Sequence, residues 1–308
     1  AVITVGNRII GEGYHRVCGQ AHAEVNAVAA AGNCDFSEAT IYVTLEPCSH
    51  FGKTPPCALL LRDCGFRRVV VATTDPNPRV SGRGIAILRE AGIRVDVGLC
   101  AEEALWLNRR FFKAQTEGRP YITLKWAESA DGFLDRRRSA AHPGAARIST
   151  ALTRLEVMRL RAVNDAILVG SATAVADDPS LRVAGIAGRQ PVRVTIDRSH
   201  TIPASARIFA DDSVKVVYFT TRRRDDLPSH VVQVVAESIS PADVVRKLLV
   251  DFGCISLLVE GGRRIHESFI EAGLCDELRI ERGPDSFGAE GVVPAITEQR
   301  IITRFRPR

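Results

Sequence analysis

Short apolar runs alternate with stretches of helical period along most of this chain. Residues 1–5, Ala-Val-Ile-Thr-Val, read as a β-strand that meets Gly6-Asn7, a hairpin turn signal, before Arg8-Ile9-Ile10. Because a strand pattern occupies the first residues, the chain is expected to begin inside a domain. An Ala-rich helix over 21–31 stops at Gly32, and strands at 41–45 and 69–73 flank a helix that follows Cys57, with Pro56 suited to a helix start. A helix at 85–91 and a short strand at 94–97 come next. The helical pattern over 101–115 is amphipathic and runs into Thr116-Glu117-Gly118-Arg119-Pro120, where the domain boundary is placed, giving domains at 1–116 and 119–308.

Beyond that point an alternating strand covers 120–127. A helix opens after Ile148, with Ser149 or Thr150 as its N-cap, and carries Arg154 and Arg161. Residues 165–170 and 191–197 read as buried strands, and Leu257-Leu258-Val259-Glu260-Gly261-Gly262 leads into a helix that reaches Glu271. Strand–helix alternation of this kind predicts mixed or parallel sheets covered by helices. The longest apolar runs, such as 69–72 and 255–259, are far short of the roughly 20 residues of a membrane span.

Composition narrows the class. With 308 residues, 45% hydrophobic and 25% charged, the chain can form two ordinary cores. Six of the eight cysteines fall in the first hundred residues, which fits reduced thiols around a metal in a cytoplasmic enzyme better than a disulfide scaffold. The net charge of +5 draws on arginine clusters at 136–138 and 222–224. No aromatics interleave them, so they read as solvated loops and not as a nucleic-acid surface.

The chemistry concentrates in His22-Ala23-Glu24, Pro47-Cys48 and Cys57. One imidazole and two thiolates suit a catalytic zinc, which keeps a position open for water, and a carboxylate two residues after the His can move that water's protons, the arrangement of hydrolytic deaminases. His22 and Cys57 both fall at expected helix N-termini, which favour thiolate.

The register of Gly11-Glu12-Gly13-Tyr14-His15, His22-Ala23-Glu24-Val25 and Thr44-Leu45-Glu46-Pro47-Cys48-Ser49-His50 resembles the deaminase half of the bifunctional riboflavin biosynthesis deaminase/reductases. Nucleic-acid and cytidine deaminases separate their cysteines by two residues; here eight intervene, Ser49 to Pro56, as in the riboflavin branch. The resemblance implies a cytidine-deaminase-like α/β/α domain followed by a dihydrofolate-reductase-like α/β domain. It implies zinc on His22, Cys48 and Cys57, with Glu24 as the acid/base. It implies that His15, His50, Lys53, Thr54, Asp75 and Asn77 contact a phosphorylated pyrimidine. In the second half it implies that Lys125, Ser129, Arg161, Leu181, Arg182 and Glu260 hold substrate. Ala127, Ser149, Thr173, Asp177, Gly261, Gly262, Arg263 and Arg264 would then face NADPH. A homo-oligomer is also expected, with no nucleic-acid or membrane partner.

Two departures from the family pattern carry expectations. Arg182 and Ala184 stand where the family places Thr and Arg, so phosphate anchoring is expected to rest on Arg182. Gly283-Pro284-Asp285-Ser286 replaces an apolar run, which predicts a weaker strand and an altered edge of the reductase. The competing readings are a deaminase with an impaired reductase, a nucleic-acid-editing deaminase, and a module that zinc merely stabilises.

Overall fold

The computed structural model describes residues 1–17, 19–52, 55–77, 80–140, 142, 144–293 and 296. The chain divides into two compact units, Ala1–Glu117 and Gly118–Arg308.

The first unit runs β1 (Val2–Val5), β2 (Arg8–Glu12), α1 (Ala23–Ala31), β3 (Ala39–Val43), α2 (Cys57–Asp63), β4 (Arg68–Val71), α3 (Arg83–Glu90), β5 (Arg94–Val97), α4 (Ala101–Leu107) and α5 (Arg109–Glu117). Its sheet has the order β2-β1-β3-β4-β5. The β1–β2 and β1–β3 pairs are antiparallel and the rest parallel, a mixed sheet. Ile3, Ile41, Val69, Val71 and Leu88 centre the core under the helices. Gly11 and Gly13 let β2 lie directly on α1: a Cβ at Gly13 would stand 2.3 Å from both Ala23 O and Ala27 N.

The predicted continuous helix over 101–115 is corrected to two helices. Asn108 marks the junction: its φ of −93° and ψ of 7° depart from helical values, while the bonds from Asn108 N to Ala104 O and from Phe112 N to Asn108 O continue through it and its side-chain amide also donates to Ala104 O at 2.9 Å. The second helix ends at Glu117, within the 116–120 breakpoint read from sequence.

The second unit runs β6 (Tyr121–Glu128), α6 (Ala151–Val163), β7 (Ala166–Gly170), α7 (Ser171–Asp177), β8 (Val192–Ile196), β9 (Val216–Thr220), β10 (Val231–Val235), α8 (Pro241–Phe252), β11 (Ser256–Val259), α9 (Arg263–Glu271) and β12 (Glu277–Arg282). Its seven strands are all parallel, in the order β10-β9-β8-β7-β11-β6-β12. Such strands are buried on both faces, and β7 and β9 are buried at every position. The chain winds outward from β7 to β10, then returns to insert β11 between β7 and β6. That reversal opens a crevice beyond the strands' carboxyl ends, the place where open α/β sheets bind ligands. Residues 283–287 form a loop after β12, in line with their weak strand composition.

The arginine clusters lie in loops, with Arg137, Arg222 and Arg223 exposed, and one arginine of each is held by the protein. Arg138 donates to Ala176 O at 2.6 Å and pairs with Asp177 and Asp135, and the Arg224 side chain is 9% exposed, bound to Ile202 O and Asp226. The planar guanidinium fork finds carbonyls and carboxylates that a charge count does not reveal.

Candidate functional site

In the first unit the loop after β3 and the starts of two helices converge. His22 is the N-cap of α1, and Cys57 is the first residue of α2 after the Pro56 N-cap. His22 Nδ1 lies 3.6 Å from Cys48 Sγ and 3.4 Å from Cys57 Sγ, and all three ligand atoms fall within 4.8 Å of one another. Around a tetrahedral zinc with Zn–S of about 2.3 Å and Zn–N of about 2.0 Å, N···S separations of about 3.5 Å are expected. The donor set and its spacing therefore fit the ion. The Cys57 backbone N–H donates to Cys48 Sγ at 3.2 Å, so the α2 N-terminus faces this sulfur. Hydrogen bonding from Cys57, together with the His22 charge, pulls the Cys48 thiol down to about 5 despite its burial. Cys57 shifts upward in turn, because it shares a proton with Cys48 and is buried.

Glu24 lies in the first turn of α1, buried beside these groups. Its carboxyl is raised above the ordinary range, chiefly by burial and partly by the Cys48 charge. His15 stacks edge-on to His22 with ring centroids 5.1 Å apart, and its Nδ1 lies 3.1 Å from Ala21 O. Asn26 Nδ2 donates to Tyr14 O at 2.8 Å and fixes the same loop. Asp75 is buried and its carboxyl raised, first by desolvation; its Oδ1 accepts from Asn77 N at 2.8 Å. His50 is exposed, near enough that its charge acts on Asp75. Lys53 and Thr54 lie outside the described residues.

Glu46 stands in the same motif as Cys48, two residues before it. It is 4% exposed, and its carboxylate accepts from the backbone N–H groups of Asp75, Gly82, Gly84 and Ile85 at 2.9–3.3 Å. Its two oxygens cap α3 and tie the Asp75 loop to the strand end that precedes Cys48. No local signal could have exposed this, because the partners are 29 to 39 residues away.

In the second unit a cleft of about 570 Å³ opens where the sheet order reverses. Gly170, Thr173, Asp177 and the run from Gly262 to Ile265 line it, with Leu134, Asp135 and Arg138 opposite. Gly262 N donates to Thr173 Oγ1 at 2.8 Å, joining the starts of α7 and α9. A Cβ at Gly261 would stand 3.0 Å from Gly170 N, so backbone meets backbone here. The cleft thus brings together Thr173, Asp177, Gly262, Arg263 and Arg264 of the expected cofactor set. Arg198 and Ser199, which sequence reasoning missed, also line it. Asp197 shapes their turn, its buried carboxylate accepting from Thr201 N, Ile202 N and the Tyr218 hydroxyl; an Asp-Arg-Ser after a buried strand was the available signal.

The expected substrate residues sit at neighbouring strand ends. Glu260 and Arg161 form a bidentate pair at 2.9 and 2.6 Å, and Arg161 also donates to Arg182 O at 3.2 Å. Burial works against the Arg161 charge, but Glu260 outweighs it and the pKa is raised. Lys125 Nζ lies 3.5 Å from Glu281 Oε2. Leu181 is buried in the left-handed region at φ 53°. Arg182 is half exposed and 3.6 Å from Asp211. The Ser129 hydroxyl is used inside a turn, donating to Asp131 and accepting from Phe133 N. Thr150, not Ser149, caps α6. Ser149 donates to Glu281 at 2.7 Å, which places its hydroxyl with Lys125, and Ala127 follows on the same strand.

Residues 1–73 match the cytidine and deoxycytidylate deaminase zinc-binding region, and residues 120–307 match the RibD C-terminal domain. The riboflavin biosynthesis protein RibD of Aquifex aeolicus is 40% identical over 94% of this chain and 81% of its own length. That of Escherichia coli is 38% identical over 94% of this chain and 82% of its own. Among solved structures, Acinetobacter baumannii RibD aligns with a TM-score of 0.85 at 35% identity, covering 96% of this chain and 82% of that one. A diaminohydroxyphosphoribosylaminopyrimidine deaminase/5-amino-6-(5-phosphoribosylamino)uracil reductase from Thermotoga maritima aligns with a TM-score of 0.87 at 34% identity, covering 95% and 81%. With a zinc-site match on the first unit, a RibD C-terminal match on the second and such relatives along nearly its whole length, the chain belongs to the RibD family of riboflavin biosynthesis deaminase/reductases.

Proposed function

We propose that residues 1–117 deaminate a diaminopyrimidine ribosylphosphate and that residues 118–308 then reduce its ribosyl group to a ribityl chain with NADPH. The observation that carries this reading is the His22/Cys48/Cys57 triad at zinc spacing, with the buried Glu24 beside it. Zinc held there would supply a Lewis acid that lowers the pKa of water. Glu24 takes one proton from the attacking water and delivers it to the ring nitrogen, then carries the second, from the added hydroxyl, to the departing amino group. A C–O bond forms at the amidine carbon, the C–N bond breaks, and ammonia leaves. Desolvation at Glu24 favours the protonated carboxyl and so helps it act as the acid. His15, His50, Lys53, Thr54, Asp75 and Asn77 orient the pyrimidine and its ribosylphosphate.

For the second step, NADPH held in the cleft would supply the reducing hydride. Gly261, Gly262, Arg263 and Arg264 open α9 toward the cleft, and helix N-termini and arginines suit its pyrophosphate. Arg198 and Ser199 offer donors for the additional phosphate of this cofactor. Thr173, Asp177, Ala127 and Ser149 set its position. Lys125, Ser129, Arg161, Leu181, Arg182 and Glu260 hold the substrate.

The reading includes a homo-oligomer, favoured by the exposure of Leu152 and Val163 on α6 and tested by light scattering. It also includes a cytoplasmic setting, supported by free thiols at every described cysteine. Among the described residues no helix is long and apolar enough to cross a membrane.

A coupled assay tests the whole. Zinc-loaded protein given the diaminopyrimidine ribosylphosphate is expected to release ammonia without NADPH, and to oxidise NADPH only once deamination has occurred. Ammonia alone would favour a deaminase with an impaired reductase, and neither signal would overturn the proposal.

A further inference from the structure

Glu281 stands on β12, whose register places it beside Ala127 of β6. Its Oε2 accepts a hydrogen bond from Ser149 Oγ at 2.7 Å and lies 3.5 Å from Lys125 Nζ. The Lys125 and Glu281 side chains are only 12% and 15% exposed. Burial opposes ionisation of Glu281, yet its pKa is lowered, because Ser149, Thr153 and the Lys125 charge outweigh desolvation. Taking a carboxylate and an ammonium this far out of water is costly unless both are well partnered, so the pair contributes little to stability as such.

What the pair does is fix an ammonium at the substrate end of β6. Val259 pairs with Leu124, so the next residue, Glu260, stands level with Lys125. Both Glu260 oxygens are engaged by Arg161, which leaves Glu281 as the carboxylate within ion-pair distance of Lys125. At 3.5 Å the ammonium is held by charge and keeps N–H donors for a further acceptor. We propose that Glu281, itself oriented by Ser149, is a positioning residue of the reductase that sets where Lys125 meets the polyhydroxylated substrate. This rests on Lys125 as a substrate ligand.

Steady-state kinetics on the full chain test it, with NADPH oxidation measured on the deaminated product and ammonia release measured separately. Glu281→Gln keeps the shape and the Ser149 bond but removes the charge. It is expected to cost about tenfold or more in kcat/KM for the substrate, with KM for NADPH and ammonia release unchanged. Lys125→Met is expected to cost at least as much, and adding Glu281→Gln to it should then cost nothing further, whereas a merely structural Glu281 would add its own loss. Wild-type reductase kinetics in Glu281→Gln, or full additivity in the double variant, overturn the inference. Wild-type kinetics in Lys125→Met would instead overturn the substrate assignment of Lys125. If Glu281→Gln loses ammonia release as well, Glu281→Asp, which keeps the charge but withdraws it from Lys125, decides: a selective loss in kcat/KM for the substrate supports the proposal, and wild-type kinetics overturn it.

Discussion

Glu24 is subject to two opposed influences, since burial favours its neutral acid while the first turn of α1 favours its anion. A carboxyl poised in this way can take and return protons within one turnover. Glu24→Gln leaves the three metal donors untouched, so zinc content by mass spectrometry should stay at wild type while ammonia release falls about 10²- to 10⁴-fold. Retained turnover would reduce the motif to a structural metal site. At His266 burial outweighs the hydrogen bonds and charges that oppose it. The side chain is fully buried against Trp126, with Nε2 3.2 Å from Val259 O, and desolvation pushes its pKa down to about 4. The unfolded chain, with an ordinary His near 6.5, binds the extra proton between those values. Stability from this group is therefore full above about pH 6.5 and is lost as the pH falls toward 4. Between pH 7 and 5 the loss should be about 2 kcal/mol. Denaturant melts of wild type and His266→Gln should diverge over that range, and parallel curves would refute the assignment.

At the scale of elements, the seating of α1 on β2 governs the metal site, because α1 carries both His22 and Glu24. The contact depends on glycine: a Cβ at position 13 would meet backbone atoms at 2.3 Å, which no rotamer change relieves. Gly13→Ala should therefore cost about 1–3 kcal/mol in the first unit and weaken zinc retention, while Gly144→Ala, with open space around its Cβ, should be neutral. Urea unfolding with zinc release as a second probe would show it, and equal stability of the two variants would refute it. The strands at 94–97 and 165–170 and the glycine stop of α1 were readable, because apolar period and glycine act locally. The break at Asn108 was not, since apolar and charged residues continue through it and only the backbone at that one residue departs from helical values. Helix α8 went unassigned although Ser240-Pro241-Ala242-Asp243 forms a capping box that a search for start signals would have found. The metal triad was legible because its residue types are rare and each stands in a short recognisable motif, although His22 and Cys57 are 35 residues apart. The Glu46 cap was not, because it acquires its role from backbone groups 29 to 39 residues away.

For the molecule as a whole, the two chemistries share a chain but not their groups. Among the described residues the one cluster able to hold a metal ion is His22, Cys48 and Cys57, all in the first unit, while the cleft between α7 and α9 is lined by residues of the second alone. The deaminase should therefore depend on metal and the reductase should not. Exposure to a strong zinc chelator such as dipicolinate is expected to reduce ammonia release in proportion to the zinc removed, with recovery on adding zinc back. NADPH oxidation, supplied with the deaminated product, should continue at its original rate, because no step there uses a group from residues 1–117. The two rates, plotted against residual zinc, should give one line through the origin and one flat line. If NADPH oxidation fell with ammonia release, the metal would also support the second unit, and the separation of the two sites argued from their residues would fail. The flat line would show instead that removing the metal uncouples a two-step sequence at its first step, leaving the second to act on whatever deaminated pyrimidine it is given.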